Sequence, residues 1–526
     1  MAARPDYEKS GSNGEEEPVM HVRRNVYALR PGGARIRALK DGVRAMKDTS
    51  AFPNNDPRSW AYQAAIHGSN RRPPDPQAQD SWNMCQHASF FFLSWHRMYI
   101  YFFERILRAA SGDPNLALPY WNYSDPAQRA LPVPFREPSG AANPLFVSQR
   151  NAGINAGAEL LGSDVSTTQM FLARNFLPRE GSRLSFGGGR VPGPVHFSSF
   201  TGLLEAQPHN TVHVKVGGWM GDPNTAAQDP IFWLHHANID RLWERWLDRG
   251  EGRANPVNNG VWMDTEFAFF DEDGDQVEMS AREIIQTSSQ LDYVYDDEPA
   301  GALGATGFSG AAARVGGAEV FVATSSVANG DAEEPTLIGR TGGRGEGEMI
   351  ELGAEPTRVA VELGAPAAAA AEMVEAQAAA RAAGEQAPEG GEEQRIVLGL
   401  DGVQYDESPG VTYEIYLNLP EGQQPDYTSD YYVGNLGFFG MEAGGHGEGG
   451  HGHPANLSFD VTDNVRALRA KGEWHEREAN VSFFARGLIP PPGEETSVAE
   501  AEARAASDTA EPAGSPRVER VVFSVE

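Results

Sequence analysis

Two stretches of this chain place histidines among large apolar and aromatic side chains, and this constrains the fold more than any other feature. The first, CQHASFFFLSWHRMYIYFFE at residues 85–104, contains His87 and His96. The second, DPIFWLHHANIDRLWERWLDR at residues 229–249, contains His235 and His236. A buried imidazole costs free energy unless its ring nitrogens find a hydrogen-bond partner or a metal ion. The chain must therefore fold so that such partners lie inside its core.

Both stretches have the periodicity of helices. Apolar residues recur at helical spacing in residues 94–110 and 229–249, which predicts two helices with broad apolar faces. Asp229 suits the N-cap of the second helix, and Pro230 suits its first position, where a missing N–H does no harm. His87 and His96 would face opposite sides of a straight helix, which turns by about 100° per residue. We therefore expect His87 to precede the first helix.

The histidines fall into two sets of three along the chain. The members are His67, His87 and His96, and then His209, His213 and His236. His209 and His213 are four positions apart, so on a helix they share one face and can chelate one metal ion. Three imidazoles without a carboxylate suit copper, zinc or iron. The pattern therefore predicts two metal sites.

An aromatic residue precedes one histidine of each set by four positions. Phe92 precedes His96, and Phe232 precedes His236. On a helix each phenylalanine ring can pack beside the imidazole and fix its orientation. Ordinary core packing would use the same two side chains.

The composition changes at about residue 300. We predict a helical domain with the two histidine sets over residues 1–300, a Gly/Ala-rich linker over 301–345 and an all-β domain over 346–526. The β prediction rests on runs such as VTYEIYLNL at 411–419 and NVSFFARGL at 480–488, which are typical of an antiparallel sandwich or barrel. The Ala/Glu-rich residues 364–394 are predicted to form a mobile surface insert, helical in part.

The charge and composition of the chain disfavour some classes of binding partner. The chain has 526 residues and a formal net charge of −30, which disfavours nucleic acid and anionic membrane surfaces. No apolar run is long enough to span a bilayer, and residues 1–26 resemble neither a secretory signal nor a transit peptide. With Cys85 as its single cysteine, the chain forms no internal disulfide. We expect a soluble, cytoplasmic protein.

Three motifs together resemble one protein family. CQHASFFFLSWHRMY matches C-x-H-x8-H with a WHR-x-Y core, and HNTVHV followed by DPIFWLHHANIDRLW matches a second signature. LPYWNYSD at 118–125 resembles the segment between them. The chain thus resembles the tyrosinase, catechol oxidase and polyphenol oxidase family of type-3 dicopper proteins. The resemblance covers roughly residues 20–295 and extends more weakly to the C-terminus. It implies a mainly α catalytic domain with a four-helix-bundle dicopper core.

The resemblance implies two copper ions, with O2 and small phenols as the reactants. His67, His87 and His96 would hold copper A, and His209, His213 and His236 would hold copper B. Of the adjacent pair, the family's ligand corresponds to His236, and His235 would be a neighbour. Asp240 lies four positions after His236 and could accept a hydrogen bond behind the ligands, although a helix surface would also use it.

The resemblance also implies roles for three further side chains. A Glu and an Asn at the positions of Glu205 and Asn210 hold a water in the family, which is proposed to take the phenolic proton. Their joint presence favours monophenol hydroxylation over diphenol oxidation alone; the alternative is a capping Asn and a solvated Glu. In fungal relatives a cysteine spaced like Cys85 forms a thioether to the histidine corresponding to His87. Otherwise Cys85 would be a small buried apolar residue.

The second half resembles the domain that shields the active site of latent plant polyphenol oxidases. The motif YVY at 293–295 resembles one that pairs with an N-terminal arginine, for which Arg23 and Arg24 are the candidates. Phe438 or Phe439 could plug the site.

We therefore expect a monophenol and o-diphenol oxidase that stays latent until the C-terminal domain is removed. A catechol oxidase restricted to diphenols or an o-aminophenol oxidase would share every ligand. A hemocyanin-like O2 carrier would need a blocked entrance. A zinc hydrolase would need an open water position and a nearby carboxylate base.

Overall fold

Two hydrophobic cores, one helical and one built on a sheet, organise the chain. The computed structural model describes residues 19–69, 74, 81–297, 336–341, 349–383, 394–405, 409–440, 454–488, 512 and 516–526. The helical core draws on residues from Val26 to Tyr295, and the second core draws almost entirely on residues from Ile338 to Phe523. The predicted mainly α domain followed by an all-β sandwich or barrel is therefore confirmed as a fold class.

The N-terminal half consists mainly of helices. They are α1 (Ala34–Lys47), α2 (Trp60–His67), α3 (Phe92–Ser111), α4 (Val133–Arg136), α5 (Ala152–Ala156), α6 (Thr168–Leu172), α7 (Asn210–Val216), α8 (Pro230–Asp248), α9 (Gly260–Asp264) and α10 (Thr287–Gln290). Short strands β1 (His21–Arg23), β2 (Glu266–Phe270), β3 (Gln276–Ser280) and β4 (Tyr293–Tyr295) accompany them, with β1 parallel to β4 and β2 antiparallel to β3.

The helix boundaries follow the local sequence signals. The Asp229 side chain accepts a hydrogen bond from Ile231 N, and Pro230 is the first residue of α8, as predicted. Helix α3 begins at Phe92, so His87 precedes it, also as predicted. Helices α2, α3, α7 and α8 form the bundle that encloses the histidines. Each of these helices contributes at least one of them.

A buried cluster of charges ties β1 and β4 to α3 and α8. Asp240 accepts hydrogen bonds from Arg97, Arg23 and the hydroxyl groups of Tyr293 (2.7 Å) and Tyr295 (2.5 Å). All of these side chains are buried. Burial alone would raise the pKa of Asp240, but Arg97 and Arg23 hold it below its ordinary value. Arg23, rather than Arg24, is thus the partner of the Tyr-x-Tyr motif.

The C-terminal half is an eight-stranded antiparallel sheet. Its strands, in spatial order, are β10 (Tyr432–Leu436), β9 (Thr412–Leu417), β12 (Glu478–Arg486), β7 (Thr357–Leu363), β5 (Thr336–Thr341), β14 (Arg520–Val525), β8 (Ile396–Val403) and β11 (Ala455–Asp460). A separate pair joins β6 (Ile350–Glu351) to β13 (Arg517–Val518). The two edge strands β10 and β11 approach each other, so the sheet is nearly closed.

Two features of this half differ from the expectation. Strand β5 lies inside the predicted linker 301–345, so the sheet begins earlier than residue 346; residues 301–335 and 342–345 of that linker lie outside the described residues. The Ala/Glu-rich residues 364–394, predicted to be a mobile insert that is helical in part, form helix α11 (Ala365–Ala382), and residues 384–393 lie outside the described residues. Its buried face, which includes Ala370, Ala371 and Val374, packs in the second core. Helix α12 (Thr462–Lys471) contacts α11.

Polar contacts join the two halves. The buried carboxylate of Asp164 accepts hydrogen bonds from Thr412 (2.8 Å) and Asn435 (3.1 Å) of the sheet. Lys215, at the end of α7, pairs with Asp164 at 3.4 Å and donates to the carbonyl oxygen of Arg486 at the end of β12. The helix that carries His213 is therefore bonded directly to the sheet. A search of the described helices found none with the length and apolarity that a bilayer span requires.

The Asp240 cluster generates a prediction about stability. Changing Asp240 to Asn removes one of the two carboxylates paired with each buried arginine, leaving Glu104 on Arg23 and Glu244 on Arg97, and breaking a buried ion pair costs about 3–5 kcal/mol. We expect the urea midpoint of the metal-free protein to fall accordingly. The control is Asp264→Asn, whose partner Arg282 is more than half exposed, so solvent screens the pair and the midpoint should not move. Equal losses in both variants would contradict the prediction.

Candidate metal centre

Seven buried histidines meet between the bundle helices. His67 ends α2, His96 lies on the second turn of α3, His213 lies on α7, and His235 and His236 lie on α8. His87 comes from the loop before α3, and His209 closes a π-helical turn at Glu205–His209 that leads into α7. All are at most 3% exposed. The fold therefore brings together all six histidines of the two predicted sets, and one more.

Hydrogen bonds fix which ring nitrogen faces the interior. The Nδ1 atoms of His67, His96 and His213 donate to the carbonyl oxygens of Pro223 (2.9 Å), Phe92 (2.8 Å) and Met220 (2.7 Å). A carbonyl oxygen only accepts, so Nδ1 carries the proton and Nε2 keeps its lone pair. In the described part of the chain these three Nε2 atoms are buried and have no hydrogen-bond partner. This is the arrangement expected of metal-ligating imidazoles.

The remaining two predicted ligands outside α8 show the same orientation. His209 Nδ1 lies 2.8 Å from Asn210 Oδ1, and His87 Nδ1 lies 3.3 Å from Cys85 Sγ. Their Nε2 atoms are likewise buried and have no hydrogen-bond partner among the described residues. His236 differs, since neither of its ring nitrogens has a partner there.

The rings form two compact triangles. The centroids of His67, His87 and His96 are 5.4–5.5 Å apart. Those of His209, His213 and His236 are 4.6–5.6 Å apart. The triangles adjoin, because the rings of His96 and His236 stack at 4.3 Å. Two metal ions can therefore be bound side by side, each by imidazoles from both a helix end and a helix interior.

Burial keeps these imidazoles neutral. It lowers the pKa of His67 and of His209 to about 3, and it lowers the pKa of the other five well below the ordinary value. Neutral imidazole is the form that binds a metal ion. The donor set, free of carboxylates, fits copper in either of its common oxidation states.

Glu205 and Asn210 each lie beside one of the two triangles. Both oxygens of the Glu205 carboxylate accept the backbone N–H of Ala88, at 2.8 and 3.0 Å, next to His87. Burial raises the pKa of Glu205 to about 8. Asn210 is not a solvated cap, because its side chain is buried and contacts the His209 ring. The two residues thus lie within the centre, one toward each triangle.

Cys85 contacts two imidazoles. Its Sγ lies 3.3 Å from His87 Nδ1 and also 3.3 Å from His196 Nδ1. The thiol is fully buried, and burial raises its pKa. The sulfur is thus in contact with the ring to which the resemblance joins it, and the thioether itself stays a prediction. The contact with His196 was not predicted, because His196 lies outside every recognised motif.

Aromatic rings line the centre. Phe92 packs on His96 at 4.7 Å and Phe232 on His236 at 4.2 Å, between ring centroids. Phe439, from the loop after β10, stacks on His213 at 3.6 Å with an interplanar angle of 6°. Phe438 points the other way and packs on Tyr405 and Tyr413 in the second core. Of the two adjacent phenylalanines, Phe439 is therefore the one that packs against the histidines.

Two contacts differ from the sequence predictions. Asp240 was expected to accept a hydrogen bond behind the ligands, but its oxygens are occupied by Arg97, Arg23 and the two tyrosines. Tyr123, in the motif LPYWNYSD, was given no role. Its hydroxyl lies 3.0 Å from His235 Nδ1. The motif was a signal, but only the fold shows which of its side chains reaches the centre.

This bundle, with two adjoining groups of buried neutral imidazoles, defines a class of proteins whose paired metal centre is held by histidine alone. Comparisons with known proteins identify the family. Residues 57–249 match the common central domain of tyrosinase, residues 257–303 match the polyphenol oxidase middle domain, and residues 345–496 match a domain of unknown function.

Similar proteins cover most of the chain. The tyrosinase HcTyr1 of Hahella sp. (strain CCB-MM4) is 33% identical over 496 residues, which span 88% of this chain and 95% of that protein. The latent form of a chloroplastic polyphenol oxidase from Prunus armeniaca is 32% identical over 273 residues, 47% of this chain and 44% of that one. The solved structure of latent apple tyrosinase covers 97% of both chains with a TM-score of 0.60 at 20% identity, which establishes the fold.

The chain belongs to the tyrosinase and polyphenol oxidase family, a family of copper oxidases with a dinuclear copper centre. The predicted resemblance is confirmed, together with the fold that it implied.

The buried imidazoles predict a pH dependence of stability. The folded-state pKa of His67 and of His209 is about 3, below the ordinary 6.5, so the unfolded chain takes up protons that the folded chain excludes. Stability of the metal-free protein is therefore full above about pH 6.5 and falls as the pH drops, by up to about 1.4 kcal/mol per pH unit for each such histidine. We expect the thermal midpoint to fall between about pH 7.5 and pH 5.5.

Glu205 provides the matched control for this prediction. Its raised pKa of about 8 means that the folded state binds a proton that the unfolded state lacks above about pH 4.5, which offsets one histidine. The variant Glu205→Gln should therefore show a steeper loss on acidification than the unchanged protein. A midpoint that stays flat over the same pH range would show that these imidazoles accept protons in the folded state.

Proposed function

We propose that this chain uses O2 to hydroxylate monophenols at the ortho position and to oxidise o-diphenols to o-quinones. The observation that carries the proposal is the set of buried imidazoles whose Nε2 atoms lack a partner in the described structure and face one interior. We assign His67, His87 and His96 to one copper ion and His209, His213 and His236 to the other. The full-length similarity to a tyrosinase supports the same reaction.

The chain's own residues would orient and protect the reactants. Bound copper would supply electrons to O2 and a Lewis acid for the phenolic oxygen. Phe92 and Phe232 hold the imidazole planes and keep the interior apolar, which excludes water from the reacting oxygen. The carbonyl oxygens that bind Nδ1 of His67, His96 and His213 keep the three rings in one orientation through the reaction.

Hydroxylation of a monophenol requires removal of the phenolic proton, whose pKa is about 10. Glu205 and Asn210 would hold the water that accepts this proton, and Glu205, whose pKa burial raises to about 8, binds a proton more readily than an exposed glutamate. Asn210 contacts His209 and would hold the proton path in place beside it. This pair supports monophenol hydroxylation over oxidation of diphenols alone.

Oxygen consumption by the copper-loaded protein tests the proposal, with a simple monophenol and then its o-diphenol. We expect uptake with both substrates, and none in His213→Ala, which loses a ligand. In Asn210→Ala we expect monophenol turnover to fall by about tenfold or more relative to diphenol turnover, since only the monophenol needs deprotonation of this kind.

The other outcomes separate the alternatives. Uptake with the diphenol alone would assign a catechol oxidase, and uptake only with an o-aminophenol would assign that oxidase. Equal losses in Asn210→Ala would remove its proposed role. Reversible O2 binding without phenol oxidation, even after the centre is opened, would assign an O2 carrier.

We further propose that the C-terminal half keeps the enzyme latent. The Phe439 ring stacks on His213 and lies 5.5 and 5.7 Å from the centroids of His209 and His87, where it covers the interior as a phenol ring would. The loop that carries Phe439 packs closely against the helical half. A Cβ atom on Gly437 would lie 3.0 Å from the backbone of Asn210 and Thr211, and Gly440 has a φ of +72° beside His87.

Truncation of this ring should activate the intact chain, because Phe439→Ala removes the side chain that stacks on His213 and covers the interior. We expect phenol oxidation to rise by about tenfold or more without proteolysis. The control Phe438→Leu alters the neighbouring ring, which packs in the second core, and should leave the enzyme latent. Unchanged activity in Phe439→Ala would show that this ring does not block access.

A further inference from the structure

His235 is a seventh imidazole in a centre that needs six. Its side chain is fully buried, and its Nε2 atom has no hydrogen-bond partner in the part of the chain that the structure describes. A buried polar atom that is left unpaired costs about 1–3 kcal/mol. Such an atom requires an explanation, and none of the roles assigned above supplies one.

His235 has the orientation that the other ligands show. Its Nδ1 atom lies 3.0 Å from the hydroxyl of Tyr123, which is itself buried. In the tautomer that donates the Nδ1 proton to Tyr123, Nε2 keeps its lone pair and faces the interior. His236, which follows it on α8, has no comparable partner on either ring nitrogen among the described residues. By this criterion His235 is the better prepared donor of the two.

The distances also place His235 among the ligands. The candidate donor atoms of His209, His213, His235 and His236 all lie within 4.8 Å of one another. The His235 ring is 4.7 Å from the His213 ring, whereas the His236 ring is 5.6 Å from it. The His235 ring also stacks on His209 at 5.1 Å with an interplanar angle of 25°.

His236, in contrast, lies between the two triangles. Its donor atom also falls within the same 4.8 Å of donor atoms of His67 and His96. Its ring stacks on His96 at 4.3 Å with an interplanar angle of 10°. His236 can therefore serve either side of the centre.

We propose that His235 is a reserve copper ligand, so that the second site has four imidazoles for three positions and holds its copper ion through His209, His213 and His235 when His236 is absent. This inference rests on the proposed function, because it assumes that copper occupies the centre. Its chemistry is that of the other ligands: a neutral imidazole adds no charge and binds either oxidation state. Tyr123 would be a positioning residue that holds the His235 ring.

Copper stoichiometry tests the proposal without reference to activity. The full-length protein and its variants are loaded with Cu(II), dialysed against a weak chelator and assayed for copper per chain, with the affinity measured by chelator competition. We expect two copper ions in the unchanged protein and in His235→Ala. We expect His236→Ala to keep two, with the second bound about 10- to 100-fold more weakly. The double variant His235→Ala/His236→Ala should keep one.

Tyr123→Phe in the His236→Ala background is the matched variant. It keeps the ring of Tyr123 and removes only the hydroxyl that orients His235, so the second copper should weaken by a further tenfold or so. If His236→Ala fails to fold, His236→Gln takes its place, and the second copper should again weaken when the Tyr123 hydroxyl is removed in that background.

The outcomes are distinguishable. One copper ion in both His236→Ala and the double variant, with two in the unchanged protein, would overturn the role of His235 and leave the proposed oxidase intact. No copper in the unchanged protein would overturn the proposed function itself. An affinity that does not change when the Tyr123 hydroxyl is removed in the background without His236 would also refute the proposal.

Discussion

The structure depends on one constraint, which is that seven imidazoles are buried together and stay neutral. A buried ring nitrogen requires a protein partner or a ligand, and six of the seven rings bond one nitrogen to a protein group and leave the other for a ligand, whereas His236 has no partner on either nitrogen among the described residues. The carbonyl oxygens of Pro223, Phe92 and Met220 meet this requirement for three of them. Phe92 O is provided by the preceding turn of the same helix, whereas the other two oxygens come from the loops after α7. The path of those loops is therefore part of the metal centre.

The charges that the histidines exclude are concentrated behind them. Asp240 lies one helical turn after His236 and, with Glu104, balances Arg23 and Arg97 in a fully buried cluster. These groups come from β1, α3 and α8, while Tyr293 and Tyr295 of β4 close the cluster. Because a buried carboxylate without its cations is so costly, the cluster allows one relative position of α3 and α8. That position sets the contact between His96 and His236, and hence the distance between the two triangles.

Features with a local signal in the sequence could be predicted, whereas features that depend on contacts between distant segments could not. Helical periodicity and the Asp229–Pro230 start of α8 are local signals, and each predicted a helix that the fold contains; the histidines of the two predicted sets also lie close together in it. Contacts between distant segments gave no such signal. The choice between Phe438 and Phe439 depends on which side of one loop faces the bundle. The role of Asp240 depends on arginines 143 and 217 positions away. The Ala-rich composition of helix α11 indicated a mobile segment. Its small side chains are buried because the sheet packs against them, and the sequence of the helix does not show that contact.

The position of Phe439 over the metal centre depends on the whole C-terminal half and not on its loop alone. Gly437 and Gly440 bring the loop against the backbone at Asn210 and against the His87 ring, so the loop has no space to shift within the closed structure. Strand β10, from which the loop emerges, is bonded through Asn435 to Asp164, and Asp164 is in turn paired with Lys215 of the ligand-bearing helix α7. Lifting Phe439 from His213 thus requires either a change in the loop itself or separation of a buried, paired interface. Since that interface includes α7, movement of the sheet also acts on the helix that carries His213. Access to the metal centre and the position of one of its ligands are therefore coupled through the same contacts.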